Sequence, residues 1–346
     1  MAKQVPKFLP YTSDEPLKVS FNREGVTESL HEVDIAICDG NGAVLFGMGD
    51  YTGQMFPRSA MKPLQALCLI EMLIDNKTLP KLTPSDISLI CASHNGEPAH
   101  TDAVHGLLAK FDINADDLIC GAHWSLEQSS LIEQVRGFDQ PGKVHNNCSG
   151  KHAGMMILAK LLTGSTDHYA EITHKAQKAI HTKLAQMTGE ALEENVVAID
   201  GCGAPIYRAP LHSWAKAFAL FAGGGAISGA TKDACAIIRD SIAAKPYLMA
   251  GRNRACSAIN ACFENRITVK VGAEGVYSAA FHEFQLGMML KARDGNKRGA
   301  EVALGAICNM FGYQGDESAK AYFHPKLTNW AGAVTGDVSL LNMPHA

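Results

Sequence analysis

Val33-Asp34-Ile35-Ala36-Ile37-Cys38, Asp39-Gly40-Asn41-Gly42 and Ala43-Val44-Leu45-Phe46-Gly47 follow one another early in a chain of 346 residues. An apolar alternating run, four turn-forming residues and a second apolar run read as a β-hairpin. A second sheet signal stands near the other end. Ile267-Thr268-Val269-Lys270-Val271-Gly272 reads as a strand, and Val276–Phe281 with Leu286–Ala292 as a further hairpin. Between them the pattern is helical over Leu211–Phe221, Thr231–Ala244 and Arg252–Phe263, with Gly223-Gly224-Gly225 as a joint and one short strand predicted over Asn195–Ile199. The simplest assembly is mixed α/β: one antiparallel sheet built from both ends of the chain, with a mostly helical middle. Residues 1–30, with Pro6, Pro10 and Pro16, are expected to form an N-terminal arm, and 31–346 a single unit. Its sheet-containing part is expected over 31–58 and 264–346, its helical part over 59–263. A tail after Tyr322 is expected to wrap the surface.

Composition excludes several classes of function. With 47% apolar and 19% charged residues the chain has the balance of an ordinary globule, and its net charge of −4 offers no basic field for nucleic acid. No apolar run reaches the roughly 18 residues that a membrane span needs. The polar start Met-Ala-Lys-Gln-Val-Pro-Lys has no signal-peptide core, so a cytoplasmic location is expected. The ten cysteines are scattered, several of them in apolar runs, which indicates reduced thiols rather than a disulfide framework.

After the hairpin, Gly47, Gly49 and Gly53 lead into Pro57-Arg58-Ser59-Ala60-Met61-Lys62-Pro63. No phosphate-binding or dinucleotide pattern accompanies these glycines. A serine and a lysine three residues apart at a helix start share one face, and a serine facing a lysine of depressed pKa is a nucleophile with its own base. Pro63 fits only near the start of that helix. Ala92-Ser93-His94-Asn95-Gly96-Glu97-Pro98 follows a short buried run. Its polar residues serve either a site or a plain cap for the helix Ala99–Lys110, and His94, His100 and His105 are expected at the surface or in caps. Asn146-Asn147-Cys148-Ser149-Gly150-Lys151-His152 opens a strongly apolar helix, a polar start suited to an anion or oxyanion. Asp200-Gly201-Cys202-Gly203 repeats that kind of signal. Cys148, Lys151 and Cys202 would make an unusual zinc set with water as the fourth ligand, although Cys-x-x-Lys is no metal signature by itself.

Ser59-x-x-Lys62, Ser93-x-Asn95 and Lys270-x-Gly272 follow the motif order of the serine penicillin-recognising enzymes, with different spacing. Taken with Asn146–His152, Asp200–Gly203 and Lys270-Val271-Gly272-Ala273-Glu274-Gly275, the same segments more closely resemble the Rhizobium-type L-asparaginases, the asparaginase II family, from about residue 20 to the end. The resemblance implies a serine β-lactamase/glutaminase-like fold, a homodimer and hydrolysis of L-asparagine to L-aspartate and ammonia. It implies two Ser–Lys pairs, Ser59 with Lys62 and Ser93 with Lys270, and a zinc ion held by Cys148, Lys151 and Cys202. Arg58, Asn95, His152 and Asp200 are the expected substrate contacts.

Two readings from other classes compete with a serine amidohydrolase. Cys148 with His152 at helical spacing would make a cysteine amidase. A non-catalytic, zinc-dependent binding module would release no ammonia from any amide.

Overall fold

The turn Asp39–Gly42 is held by its own first side chain: Asn41 N–H and Ala43 N–H both donate to Asp39 Oδ1 at 2.9 Å. On either side the chain forms the strands Val26–Cys38 and Val44–Met48. The computed structural model describes residues 3–6, 9–192 and 197–344. The predicted strand Asn195–Ile199 lies partly outside them; its described end pairs as Ala198–Ile199 with Pro205–Ile206.

Among the described residues a nine-stranded sheet runs in the order Leu327–Thr328, Val334–Leu340, Leu17–Arg23, Val26–Cys38, Leu286–Ala292, Val276–Phe281, Ile267–Gly272. Val44–Met48 adds antiparallel to Val26–Cys38, and Tyr11–Ser13 adds to Val44–Met48 in parallel; from Leu327–Thr328 through Val276–Phe281 the pairings are antiparallel. Both chain ends therefore build the sheet, as expected. Two expectations are corrected. The N-terminal arm supplies a strand, because Leu17, Val19 and Phe21 alternate into the core and their backbone pairs with residues 26–33. The tail supplies another, since Val334–Leu340 pairs with Leu17–Arg23 rather than wrapping the surface.

The chain divides into two compact units, Met1–Ala60 with Ala209–Ala226 and Val269–Ala346, and Met61–Arg208 with Ile227–Thr268. The division differs from the expected one at helix Leu211–Phe221, which joins the sheet. In the first unit residues 33–38 are buried on both strand faces. Helix Lys297–Met310 covers the face of His31, where a Cβ on Gly299 would come 2.5 Å from the His31 side chain. Helix Leu211–Phe221 covers the opposite face, where Cys38 Sγ donates to His212 O at 3.4 Å. Gly287 opens that contact, because a Cβ there would lie 2.1 Å from Ala215 O.

The second unit packs helix Lys62–Asp75 against Ser149–Thr163, Lys175–Thr188 and Gly229–Ala244. Gly150 and Gly154 serve packing: a Cβ at Gly150 would come 2.3 Å from Leu89 O, and one at Gly154 2.8 Å from Ile90 Cγ2. Among the described residues no helix is long and apolar enough to cross a membrane.

Candidate active site

Lys62 is the first residue of its α-helix, and Pro63 follows where a missing N–H costs nothing. Its side chain is 1% exposed. Nζ lies 3.0 Å from Ser93 Oγ and 3.2 Å from Cys148 Sγ, and it donates to Ala92 O. Among the described residues no carboxylate pairs with it. The loop that carries Ser93 is fixed on both sides by backbone bonds, Ser93 N–H to Met249 O, Asn95 N–H to Ala250 O and His94 N–H to Asn147 O. The serine expected to pair with Lys270 is thus within hydrogen-bond distance of Lys62.

Cys148 sits at the N-cap of helix Ser149–Thr163, and its N–H donates to Asn146 Oδ1 at 2.8 Å. A hydrogen bond from the Cys202 thiol, helped by Lys62 and Lys151 and opposed by burial, holds the Cys148 thiol well below the usual range. The same bond, with burial, pushes Cys202 up. Lys151 Nζ stands 2.9 Å from Cys202 Sγ. Burial works against its charge most strongly, but Cys148, Cys202 and Asp200 together outweigh burial and raise its pKa. A sulfur hydrogen-bonded both to a second sulfur and to an amine makes a donor set that fits a zinc ion, which would replace these bonds by three donor bonds once the protons leave. Among the described residues no group of three His, Cys, Asp or Glu side chains is placed to hold a metal.

His152, one residue beyond Lys151, is fully buried, and burial pushes its pKa well below the ordinary histidine value. Its Nδ1 meets Tyr169 Oη at 2.8 Å, while Nε2 has no partner among the described residues. Tyr169 also lines a cleft of about 580 Å³ with Ile119, Ile172, Ile199 and Gly203. Asp200 stands at the Ala198–Ile206 hairpin turn, its carboxylate taking the Gly201 N–H, and its charge acts on Lys151.

Two expectations change here. The Asn95 amide is tied into the loop: its N–H groups go to Glu97 Oε1 and Arg252 O, and its oxygen takes Arg254 Nη1 at 2.6 Å. The oxygen keeps a second acceptor position. His94 and His100 are buried, 1% and 0% exposed, and stack with ring centroids 4.9 Å apart; His100 stacks in turn on Tyr247. His94 takes Gly96 N–H on Nδ1 and meets Ser149 Oγ through Nε2. Neither Ser93 nor Asn95 caps the helix Pro98–Ala109, whose N-cap is Glu97. That carboxylate is 3% exposed and accepts from Asn95, Ser130, Arg252 and Tyr247. Sequence reasoning missed Glu97, Tyr169 and Arg252 as parts of the site; the polar run Gly251-Arg252-Asn253-Arg254 before a helix was the available signal for Arg252.

The first unit carries the remaining residues. Ser59 is half-buried on a 3₁₀ turn, Arg58–Met61, rather than on the α-helix. Arg58 before it has φ +51°, a left-handed backbone costing about 1–2 kcal/mol in a residue with a Cβ. Strain of this kind gathers at functional turns. Gly272 receives the turn, since a Cβ there would come 2.5 Å from Pro57 O and 3.2 Å from Ala60 N. Lys270, two residues back on the same strand, presents its side chain on that same face. It is fully buried, and its Nζ donates to Val271 O at 2.7 Å.

The L-asparaginase II family matches residues 19–340. No curated protein matches the chain. Among solved structures it is similar to a Bacillus glutaminase at 12% identity and a TM-score of 0.47, covering 82% of this chain and 91% of that one. It is also similar to a β-lactamase from Mycobacterium bovis at 14% identity and a TM-score of 0.40, covering 82% and 95%. The family match takes in strands from both ends of the sheet and every motif between them, and the chain belongs to the L-asparaginase II family of amidohydrolases.

Proposed function

We propose that the protein hydrolyses L-asparagine to L-aspartate and ammonia through a serine ester. The observation that supports this best is the buried Lys62 amine, set beside the Ser93 hydroxyl at 3.0 Å with no carboxylate paired to it among the described residues. Ser59, three residues before Lys62 in the chain, is the nucleophile. Its Oγ bonds to the side-chain amide carbon as its proton passes to Lys62. The C–N bond then breaks, and the nitrogen takes a proton relayed through Ser93 and Lys270 and leaves as ammonia. Water attacks the ester carbon, the C–O bond to Ser59 breaks, the serine regains a proton and aspartate departs.

Arg58 holds the substrate α-carboxylate and Asp200 its α-ammonium, the pair of opposite charges that a small zwitterion requires. His152 meets an oxygen of the substrate. Cys148, Lys151 and Cys202 would hold zinc, which when bound supplies a fixed positive charge beside the carbonyl. A homodimer in the cytoplasm completes the reading. One observation favours a second: Cys148 is held toward the thiolate, the form a cysteine amidase would use.

Ammonia release from asparagine, glutamine and a β-lactam, with and without chelator, is the deciding assay. Asparagine turnover that Ser59→Ala removes, and that iodoacetamide leaves intact in the zinc-loaded protein, is the expected result. Chelation should raise KM more than it lowers kcat if the ion orders the pocket. Turnover surviving in Ser59→Ala but lost on alkylation assigns the chemistry to Cys148, and no ammonia from any amide ends the hydrolase reading.

A further inference from the structure

Tyr169 is 2% exposed, so its hydroxyl must find its partners inside the protein. The Ile119 N–H donates to Tyr169 Oη at 3.0 Å, which occupies an acceptor position on the oxygen. The hydroxyl hydrogen then has one acceptor among the described residues, His152 Nδ1 at 2.8 Å. The reverse arrangement, Nδ1–H donating to Oη, would give the oxygen two donors and strand its own hydrogen in a buried site. With the Tyr169 hydrogen placed on it, Nδ1 is the bare nitrogen and Nε2 carries the proton. That Nε2–H is buried and meets no acceptor among the described residues. A buried donor left unmet is what a site offers to an acceptor brought by a ligand.

We propose that Tyr169, anchored by the Ile119 backbone, is a positioning residue that locks His152 in the Nε2–H tautomer, so that the imidazole presents a donor to a carboxylate or amide oxygen of the substrate. The inference rests on the reading of His152 as a substrate contact. It adds a specificity: this position accepts an oxygen and rejects an N–H group, so it orients the substrate's oxygens rather than its amide nitrogen. Tyr169 touches no reacting atom and acts only through His152.

The test compares wild-type protein with Tyr169→Phe, which keeps the ring and removes the hydroxyl. In ¹⁵N-histidine-labelled holoprotein, long-range proton–nitrogen spectra report which ring nitrogen carries the proton, and His152→Gln assigns the signal. The expected wild-type ring has a bare Nδ1, and the variant a mixture of tautomers. KM for asparagine should rise about tenfold in the variant while kcat stays within about twofold. A wild-type His152 protonated on Nδ1 overturns the proposal even if the variant fails to fold. So does a folded variant with the wild-type tautomer, or a changed tautomer with an unchanged KM. Wild-type protein without asparagine turnover, but with a bare Nδ1 that Tyr169→Phe alters, supports the lock and overturns the asparaginase reading instead.

Discussion

Lys62 Nζ and Ser93 Oγ stand 3.0 Å apart in a buried site, although the two residues come from different helices' ends and lie 31 positions apart in the chain. The lysine is placed by the first turn of its own helix. The serine is placed by backbone bonds to the Met249–Ala250 segment. An amine fixed by packing and a hydroxyl fixed by the main chain make an alignment that costs little to maintain.

Removing the amine should therefore remove the chemistry. Lys62→Met fills similar volume without a base, and ammonia release should fall by about 10³-fold, the middle of what a positioned general base contributes. Ser93→Ala keeps the nucleophile and loses the relay, for an expected loss of about 10²-fold in kcat with little change in KM. Lys62→Met retaining turnover within tenfold of wild type would sink the role given to this lysine.

Acid should destabilise the fold through His100. Its ring is stacked between His94 and Tyr247, with Glu97 Oε2 3.8 Å from Nδ1. Burial pulls its pKa down to about 4; Glu97 opposes the shift and Arg254 adds to it. In the unfolded chain a histidine titrates near 6.5, so between about pH 6.5 and 4 the unfolded state binds a proton that the folded state refuses. Stability is fully present above that window and falls as the pH drops through it, on the order of 3 kcal/mol for this one group. Urea unfolding at pH 7 and pH 5 measures the loss. His100→Phe keeps the stacked ring, and the slope of stability between those two values should shrink; an unchanged slope assigns the acid sensitivity elsewhere. Glu97 works in a lower range. Burial raises its carboxyl pKa, bonds from Tyr247, Ser130, Asn95 and Arg252 outweigh burial and leave it depressed, and its contribution is lost only as the pH falls below the ordinary carboxylate value.

The parts of this architecture legible in the sequence are those written in local pattern. The hairpin at 26–48 shows in its alternation and in Asp39-Gly40-Asn41-Gly42, and the motifs show because reactive side chains gather at helix starts and strand ends. The strand Leu17–Arg23 also alternates, with Leu17, Val19 and Phe21 pointing inward, but three nearby prolines hide it. Val334–Leu340 alternates too, Val334, Val338 and Leu340 against Thr335, Asp337 and Ser339, but it stays half-exposed and takes its place by pairing with Leu17–Arg23. Burial of His94 and His100 depends on Tyr247, about 150 residues away, and no local pattern announces that stack. Lys62 and Ser93, and likewise His152 and Tyr169, meet through tertiary packing, so spacing alone does not announce either contact.

The turn carrying Ser59 gives the last prediction, because its seat is a missing side chain. A Cβ at Gly272 would come 2.5 Å from Pro57 O, 3.1 Å from Val276 Cβ and 3.2 Å from Ala60 N, and two of these three neighbours are backbone atoms that cannot rotate away. Gly272→Ala must therefore move the Arg58–Met61 turn or the strand. Overpacking of this kind costs about 1–3 kcal/mol in stability, and a nucleophile displaced by about an ångström loses about 10²-fold in rate. Gly106→Ala is the control: it lies in helix Pro98–Ala109 with no atom within 4 Å of its added Cβ, so helix propensity makes it neutral or slightly stabilising. Melting and ammonia release measured on both variants separate the two effects of Gly272→Ala. If that protein folds with full turnover, the turn tolerates displacement and Ser59 is not the group whose position sets the rate.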